Sequence, residues 1–434
     1  MKSCPSIQSA IYIRHGEVRT CCQRFFHKGK LKGDVVLYKF ESGETFDYEK
    51  VLLSKENLLN VINSEIDSPC TGCKLLEDKD WLPIRKDSLT QISFENHSLC
   101  NMKCTYCSPE YYGGKKPNFQ FTEEALKNMQ PTSSLQVSWA GGEPTILPTF
   151  ESTFKLVTKT LKPQVHKVFS NSLRYSRFLQ LQVDNGICQL TTSVDSGTEE
   201  TFQKIRGTNG LFKVLKNLKS YSKKRPDRVT IKYILTKDNS STKELDKFIG
   251  ICSDYSLMHC SFLISTNYKC DKIDTHSACS LLYLYYGLKN SGAFCVTIDD
   301  HVYSKSDRKH VEMFLEDYGK FLKVEDVNTL NTFCTTKVTH PINLVIWGTG
   351  EFSKRIIANA NSRNTNWFRI NRVVDSDPSK KGISFCQYIV GDPSTIKNSD
   401  DLIIIASSNF YRQILDDLDK LDIDRLRILP NFLF

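Results

Sequence analysis

Cys100-Asn101-Met102-Lys103-Cys104-Thr105-Tyr106-Cys107 brings three thiols into eight residues with C-x3-C-x2-C spacing. Three thiolates this close can hold three corners of a cubic iron–sulfur cluster and leave the fourth iron open to another donor. An electron-transfer cluster normally takes four cysteines, and a structural zinc site is likewise closed. The competing metal reading is a zinc knuckle completed by His97. The chain has 16 cysteines. Stable disulfides are rare in a reducing compartment, so that number calls for metal ligation or redox work.

Other polar clusters follow. Trp139-Ala140-Gly141-Gly142-Glu143-Pro144, Ser170-Asn171, Ser193-Val194-Asp195-Ser196-Gly197 and Lys204-Ile205-Arg206-Gly207 each interrupt an apolar or helical stretch. From about residue 85 to 321, short apolar runs alternate with helical patterns, as repeated β/α units with a parallel sheet do. Strands are expected at Leu89–Glu95, Leu135–Trp139, Lys167–Phe169, Gln189–Val194, Val229–Leu235 and Cys260–Ile264, with a last one near Phe294–Ile298. Helices fit at Thr122–Met129, Thr149–Leu161, Thr198–Ile205 and Lys243–Asp254. The fold class is α/β, a partial (β/α)6 barrel of TIM type. Barrels carry functional groups at the carboxyl ends of their strands, and Cys100, Glu143, Asn171 and Asp195 all fall there.

Two further segments flank the barrel. Residues 1–83 are rich in Cys, Gly and charge and short of long helical patterns. Ile11, Ile13 and Val18 alternate with polar residues around His15-Gly16, a hairpin pattern ending at Cys21-Cys22. Residues 323–340 are polar and aperiodic, the expected linker to a Rossmann-like α/β domain at 341–434. There Ile342–Trp347 reads as a buried strand, Gly348-Thr349-Gly350 as a tight turn, Glu351–Asn361 as a helix, and Arg372–Val374 and Leu402–Ala406 as strands. Ser353 stands where a dinucleotide fingerprint has its third glycine. Glu351 would repel a pyrophosphate, and Asp375 lies where an acid could meet a ribose. No apolar run reaches the roughly 18 residues that span a bilayer, and the start lacks a basic region followed by an apolar one, so a cytoplasmic location is expected. The net charge is +9, but the basic residues are spread out; the densest run, Lys219 to Arg228, reads as a solvated helix end, which argues against a nucleic-acid partner.

C-x3-C-x2-C with Tyr106 before the last cysteine resembles the signature of the radical S-adenosylmethionine (SAM) superfamily, and Gly141-Gly142-Glu143-Pro144 is similar to that family's GGEP motif. The resemblance implies a [4Fe–4S] cluster on Cys100, Cys104 and Cys107 that cleaves SAM reductively, fed by a reductant such as flavodoxin or ferredoxin. It implies that Gly141, Gly142 and Glu143 hold the SAM ammonium, that Ser170, Asn171 and Ser193 face its ribose or carboxylate, that Arg206 meets the carboxylate, and that Asp195 contacts SAM or substrate. Cys4, Gly16 and Cys21 resemble the C-x(9–15)-G-x4-C element of SPASM and twitch modules, and Cys70 and Cys73 could complete one auxiliary [4Fe–4S] cluster. Cys22 could replace Cys21, the same four cysteines could hold a structural zinc, and in the family such modules usually follow the barrel rather than precede it. The carboxy-terminal segment resembles Rossmann-like domains of methyltransferases and of nucleotide-sugar and surface-polysaccharide pathways, which tilts the expected substrate towards a sugar-like or nucleotide-linked small molecule over a peptide. The rival readings are a non-catalytic iron–sulfur or zinc protein and a radical enzyme acting on peptide or RNA.

Overall fold

The computed structural model describes residues 1–40, 44–64, 66–73, 75–108, 113–117, 122–267, 275–299, 342–362, 368–407 and 410–429. The expected linker at 323–340 lies outside them. The chain divides into two compact units, Met1–Lys232 with Ile251–Cys260, and Tyr233–Gly250 with Ser261–Phe434.

In the first unit two short pairs, Lys2–Ser3 with Glu77–Asp78 and Arg24–His27 with Lys30–Gly33, stand outside the main sheet, whose strands are β1 (Ala10–Arg14), β2 (Glu17–Arg19), β3 (Val36–Lys39), β4 (Leu89–Glu95), β5 (Pro131–Trp139), β6 (Val165–Phe169), β7 (Cys188–Ser193) and the start of β8 (Val229–Leu235). They lie side by side in the order β3-β2-β1-β4-β5-β6-β7-β8. β4 to β8 are parallel neighbours, with helices such as α2 (Phe150–Leu161), α3 (Arg177–Asp184), α4 (Glu199–Arg206) and α5 (Leu211–Tyr221) in the crossovers. This α/β, parallel-rich sheet is the one expected for a partial barrel, and the barrel strands fall within a few residues of their expected ends.

Residues 1–83 contribute three strands to the same sheet. β1 and β2 form the expected hairpin, with Ile13 opposite Val18, and β1 runs parallel beside β4, with Arg14 level with Glu95. The segment also holds a sixteen-residue helix, α1 (Tyr48–Asn63), where no long helical pattern was expected. Asp47 caps it by accepting a hydrogen bond from the Glu49 amide at 2.9 Å. Its buried face is Tyr48, Val51, Lys55, Leu59 and Ile62. The spacing is helical, but the lysine at its centre breaks the apolar periodicity.

One face of the sheet packs on α2 through an aromatic stack. Trp139 lies 4.6 Å from Phe94 and 5.4 Å from Phe154, ring centre to ring centre. His166 lies 3.9 Å from Phe154, and its two nitrogens are engaged by Trp139 Nε1 at 3.0 Å and Thr158 Oγ1 at 2.9 Å. Strand alternation turns Lys167 and Phe169 to the opposite face.

In the second unit β9 (Ser261–Thr266) and β10 (Cys295–Ile298) pair in parallel, with α6 (Thr275–Asn290) between them. A separate sheet orders β13 (Tyr388–Gly391), β12 (Phe368–Val374), β11 (Ile342–Trp347), β14 (Leu402–Ile405) and β15 (Ile428–Leu429) in parallel, with the short strand Ser384–Phe385 antiparallel at the β13 edge. The helices α7 (Glu351–Ser362) and α8 (Tyr411–Lys420) belong to it. This is the Rossmann-like pattern read from the sequence.

Burial lowers the His166 pKa to about 4. The unfolded chain, with an ordinary value near 6.5, therefore binds a proton that the folded chain refuses between about pH 4 and 6.5. Stability should fall with acidification across that window, by up to about 1.4 kcal/mol per pH unit for this one group. A His166→Asn variant, compared with the parent by urea unfolding at pH 4.5 and 6.5, should lose that share of the slope.

Candidate active site

The three-cysteine loop is held by main-chain hydrogen bonds on two sides. From one side the Gly142 amide donates to the His97 carbonyl at 2.9 Å and the Glu143 amide to the Leu99 carbonyl at 2.7 Å. From the other, the Lys103 amide donates to the Arg206 carbonyl at 3.1 Å and the Thr105 amide to the Ile205 carbonyl at 2.9 Å, at the end of α4. The glycines are required by this docking. A β-carbon on Gly142 would overlap the Leu99 backbone, and Gly207, at φ 71°, would push one to 2.7 Å from the Lys103 carbonyl oxygen.

Cys100, Cys104 and Cys107 are half-buried. Burial raises the thiols of Cys100 and Cys107, the latter to about 11, and neighbouring thiolates add to both shifts. Without a metal the loop favours protonated sulfur, and a bound metal centre would displace those protons. Among the described residues no three His, Cys, Asp or Glu side chains group around a single metal ion. That holds equally for the three cysteines with or without His97 and for Cys4, Cys21, Cys70 and Cys73. His97 is buried, its Nδ1 has no hydrogen-bond partner among the described residues, and its pKa falls to about 4 through burial.

Glu143, 2% exposed, is the centre of the second motif. Its Oε1 accepts from Ser170 Oγ at 2.8 Å, Thr145 Oγ1 at 2.6 Å and the Thr145 amide at 3.1 Å, and its Oε2 accepts from the Asn171 amide at 2.6 Å. All four donors are neutral, and no Lys, Arg or His among the described residues pairs with this carboxylate. Asn171 ties it to the cysteine loop, donating to Asn101 Oδ1 at 2.6 Å and lying 3.8 Å from Cys100 Sγ. Ser193 ends β7, half-buried and level with Lys232.

Asp195 and Arg206 pair with each other and with Tyr106. Arg206 Nη1 lies 2.9 Å from Asp195 Oδ2, Tyr106 Oη donates to the same oxygen at 2.6 Å, and Arg206 also contacts Tyr106. Asp195 is fully buried and Arg206 nearly so. Here they fasten Tyr106, and with it the cysteine loop, to the end of α4. The Arg206 Nε is buried without a partner.

Cys4, Cys21, Cys70 and Cys73 line one cavity, together with Ile7, Val35, Leu75 and Leu76. The first three are buried and Cys73 half-buried. Burial raises Cys4 and Cys73 and pushes Cys70 to about 12, and each feels the negative charge of its neighbours. Cys22 lies outside the cavity against Tyr12 and Glu95. Of the two adjacent cysteines, Cys21 is thus the one with the set, and Gly16, at φ 77°, makes the hairpin turn as expected.

The sequence reading missed Thr145, Asn101 and Gly207. Thr145 had a local signal, since a hydroxyl residue two places after a loop carboxylate commonly donates back to it. The role of Asn101 depends on β6 and left no local signal. In the carboxy-terminal sheet, Asp375 already accepts from Thr349 Oγ1 at 2.5 Å and lies 3.1 Å from Lys380 Nζ, while Glu351 pairs with Lys354.

The family model of the radical SAM superfamily matches residues 97–249. That stretch is a radical SAM domain. A second model, C2185-like N-terminal, matches residues 342–429. Curated relatives include the GTP 3′,8-cyclases of Vibrio atlanticus (strain LGP32), 28% identical over 36% of this chain and 48% of that protein, and of Haemophilus ducreyi, 29% identical over 35% and 46%. The chain thus spans about half the length of these relatives. Among solved structures, native anSMEcpe with bound AdoMet aligns over 53% of this chain and 66% of its own at 17% identity and TM-score 0.39. SuiB of Streptococcus suis aligns over 58% and 54% at 14% and 0.38. A radical SAM domain works with a [4Fe–4S] cluster and SAM, and its enzymes need a reductant and a substrate. No helix among the described residues is long and apolar enough to cross a membrane.

A Gly207→Ala substitution should destabilise the radical SAM domain by about 1–3 kcal/mol, since it forces a side chain into left-handed backbone against the Lys103 carbonyl. Urea unfolding at neutral pH would measure the loss, and the expected companion is faster release of iron from the reconstituted protein.

Proposed function

We propose that the protein is a radical SAM enzyme that binds SAM between the three-cysteine loop and Glu143 and abstracts hydrogen from a small substrate. The observation that carries this reading is the Glu143 carboxylate: buried, fixed by four neutral donors, provided with no cation, and tied through Asn171 to Cys100. A buried carboxylate in that state is stabilised by a cationic ligand, and the SAM ammonium suits it. Cys100, Cys104 and Cys107 would hold the cluster. Gly141 and Gly142 let the loop approach closely, Ser170 and Asn171 orient Glu143, and Tyr106, Asp195 and Arg206 brace the loop. When bound, the cluster and SAM supply the one-electron cleavage that yields a 5′-deoxyadenosyl radical.

Cys4, Cys21, Cys70 and Cys73 fit an auxiliary [4Fe–4S] cluster: they are four thiols around one cavity, three of them buried and one half-buried. For the substrate, the sheet face away from α2 carries Ser93, Ser138, Lys167 and Gln189 in one register row. Lys167 has no ion-pair partner among the described residues, and Phe169, two places on along the same face, is 43% exposed. A cation and an exposed ring on the polar face of the sheet suit a small molecule with an anionic group and a ring. The nucleotide named in the cyclase relatives is of that kind, which favours a nucleotide-linked or sugar-like substrate over a peptide. The Rossmann-like sheet supports the same class less directly, because Asp375 is already engaged.

Iron analysis after anaerobic reconstitution tests the clusters. About eight iron atoms per chain should fall to about four in a Cys100/Cys104/Cys107→Ala variant, and little iron in either would overturn the reading. Glu143→Gln should keep its iron yet bind SAM at least about tenfold more weakly by calorimetry, because the charge is lost while the shape remains. Undiminished affinity would remove Glu143 from the SAM site.

A further inference from the structure

We propose that Lys55 is the counter-cation of the four-cysteine centre, an ammonium held inside the protein to offset part of the negative charge that four thiolates carry around a metal centre. This rests on the reading of Cys4, Cys21, Cys70 and Cys73 as a metal site. Lys55 is 1% exposed and occupies the middle of the buried face of α1. Leu59 and Ile62, on the same face, pack in one cluster with Cys4, Ile7, Cys21, Val35 and Cys70. The end of α1 is tied to the strand before Cys4, where Asn63 Oδ1 accepts from the Lys2 amide at 2.8 Å and Asn63 Nδ2 donates to the Lys2 carbonyl at 3.0 Å.

No carboxylate or hydrogen-bond acceptor among the described residues pairs with the Lys55 ammonium. Among the described residues the ionisable group that acts on it is Cys4, and burial brings its pKa down to about 7 even with the negative charge of Cys4 opposing the shift. A lysine is almost never fully buried unless paired, and an apolar residue would fill this helix position at no electrostatic cost. What makes the lysine intelligible here is a partner that arrives with the metal.

The charge arithmetic supplies that partner. A [4Fe–4S] cluster with four thiolates has a formal net charge of minus two when oxidised and minus three after one electron. A buried cation beside Cys4 favours the more negative state and so raises the reduction potential. Lys32 provides an internal comparison. It lies near Cys70 but is already paired with the exposed Asp67 and donates to the Ser68 carbonyl at 3.0 Å, so its charge is largely offset.

The test uses the full chain carrying Cys100/Cys104/Cys107→Ala, in which the four-cysteine set is the remaining cluster site, with and without Lys55→Met. After anaerobic reconstitution both proteins are titrated potentiometrically with the reduced cluster followed by electron paramagnetic resonance. Lys55→Met should keep its iron but show a lower midpoint potential, by about 59 mV for a tenfold change in the one-electron equilibrium. Its metal-free form should resist urea at least as well as the parent, because an unpaired buried charge is gone. Lys32→Met should shift the potential less. An unchanged potential in Lys55→Met overturns the proposal, as does a metal-free form that is less stable, which would mark Lys55 as structural. If the triple variant takes zinc and no iron, the auxiliary-cluster reading fails on its own. Lys55 is then judged by zinc retention against a chelator: tenfold weaker retention in Lys55→Met supports the counter-charge, and equal retention overturns it. Binding of neither metal overturns both.

Discussion

Glu143 is taken out of water with four hydrogen bonds and no opposite charge, and the neighbouring geometry follows from keeping it there. Its amide is spent on the Leu99 carbonyl and its oxygens on Ser170, Asn171 and Thr145, so the second, third and cysteine-bearing segments of the sheet rim are drawn to one point. Two adjacent glycines are needed because the turn lies directly on the backbone of His97 to Leu99. Parallel strands make this convergence possible: β4, β5 and β6 all end at the same rim, so residues far apart in sequence meet without long loops. The loop that carries the thiols is thereby fixed by main-chain contacts and by the side chains of Asn101 and Tyr106, while its three cysteine side chains stay available for a metal centre.

Opposite the GGEP turn, the loop is held by a different device. Tyr106, Asp195 and Arg206 form a buried trio whose charges offset each other, and the arginine sits where α4 already presents its last carbonyls to Lys103 and Thr105. The aromatic residue before the third cysteine is thus anchored through its hydroxyl. The resemblance gave Arg206 a role towards the SAM carboxylate; in the fold this residue ends α4 and pairs with an aspartate in left-handed backbone, Asp195 at φ 63°.

What could be read in the sequence divides along the same line. The barrel strands were legible because buried parallel strands are short apolar runs bounded by turn residues, and the cysteine spacings because ligands that share a loop must be close in sequence. Cys4, Cys21, Cys70 and Cys73 were grouped through the resemblance to SPASM and twitch modules, and they line one cavity. The choice between Cys21 and Cys22 was open in the sequence, because both lie past the end of β2 and the path of the chain after the hairpin turns Cys21 to the cavity. The pairing of β1 with β4 was not legible either, a contact across just over eighty residues that no local pattern records.

The helix α1 shows the cost of reading periodicity too strictly. Tyr48, Val51, Leu59 and Ile62 have helical spacing, and a charged residue at the position between them argues against a buried face. The fold buries that residue all the same. When a local rule fails inside an otherwise consistent element, the physical question is what offsets the charge, and functional sites are where such exceptions concentrate. In this chain the exception lies on the helix face whose Leu59 and Ile62 pack with Cys4, Cys21 and Cys70, and no carboxylate among the described residues pairs with it. A charge that breaks an apolar face beside a cluster of thiols is the pattern a counter-cation would leave, and the proposal for Lys55 rests on that pattern.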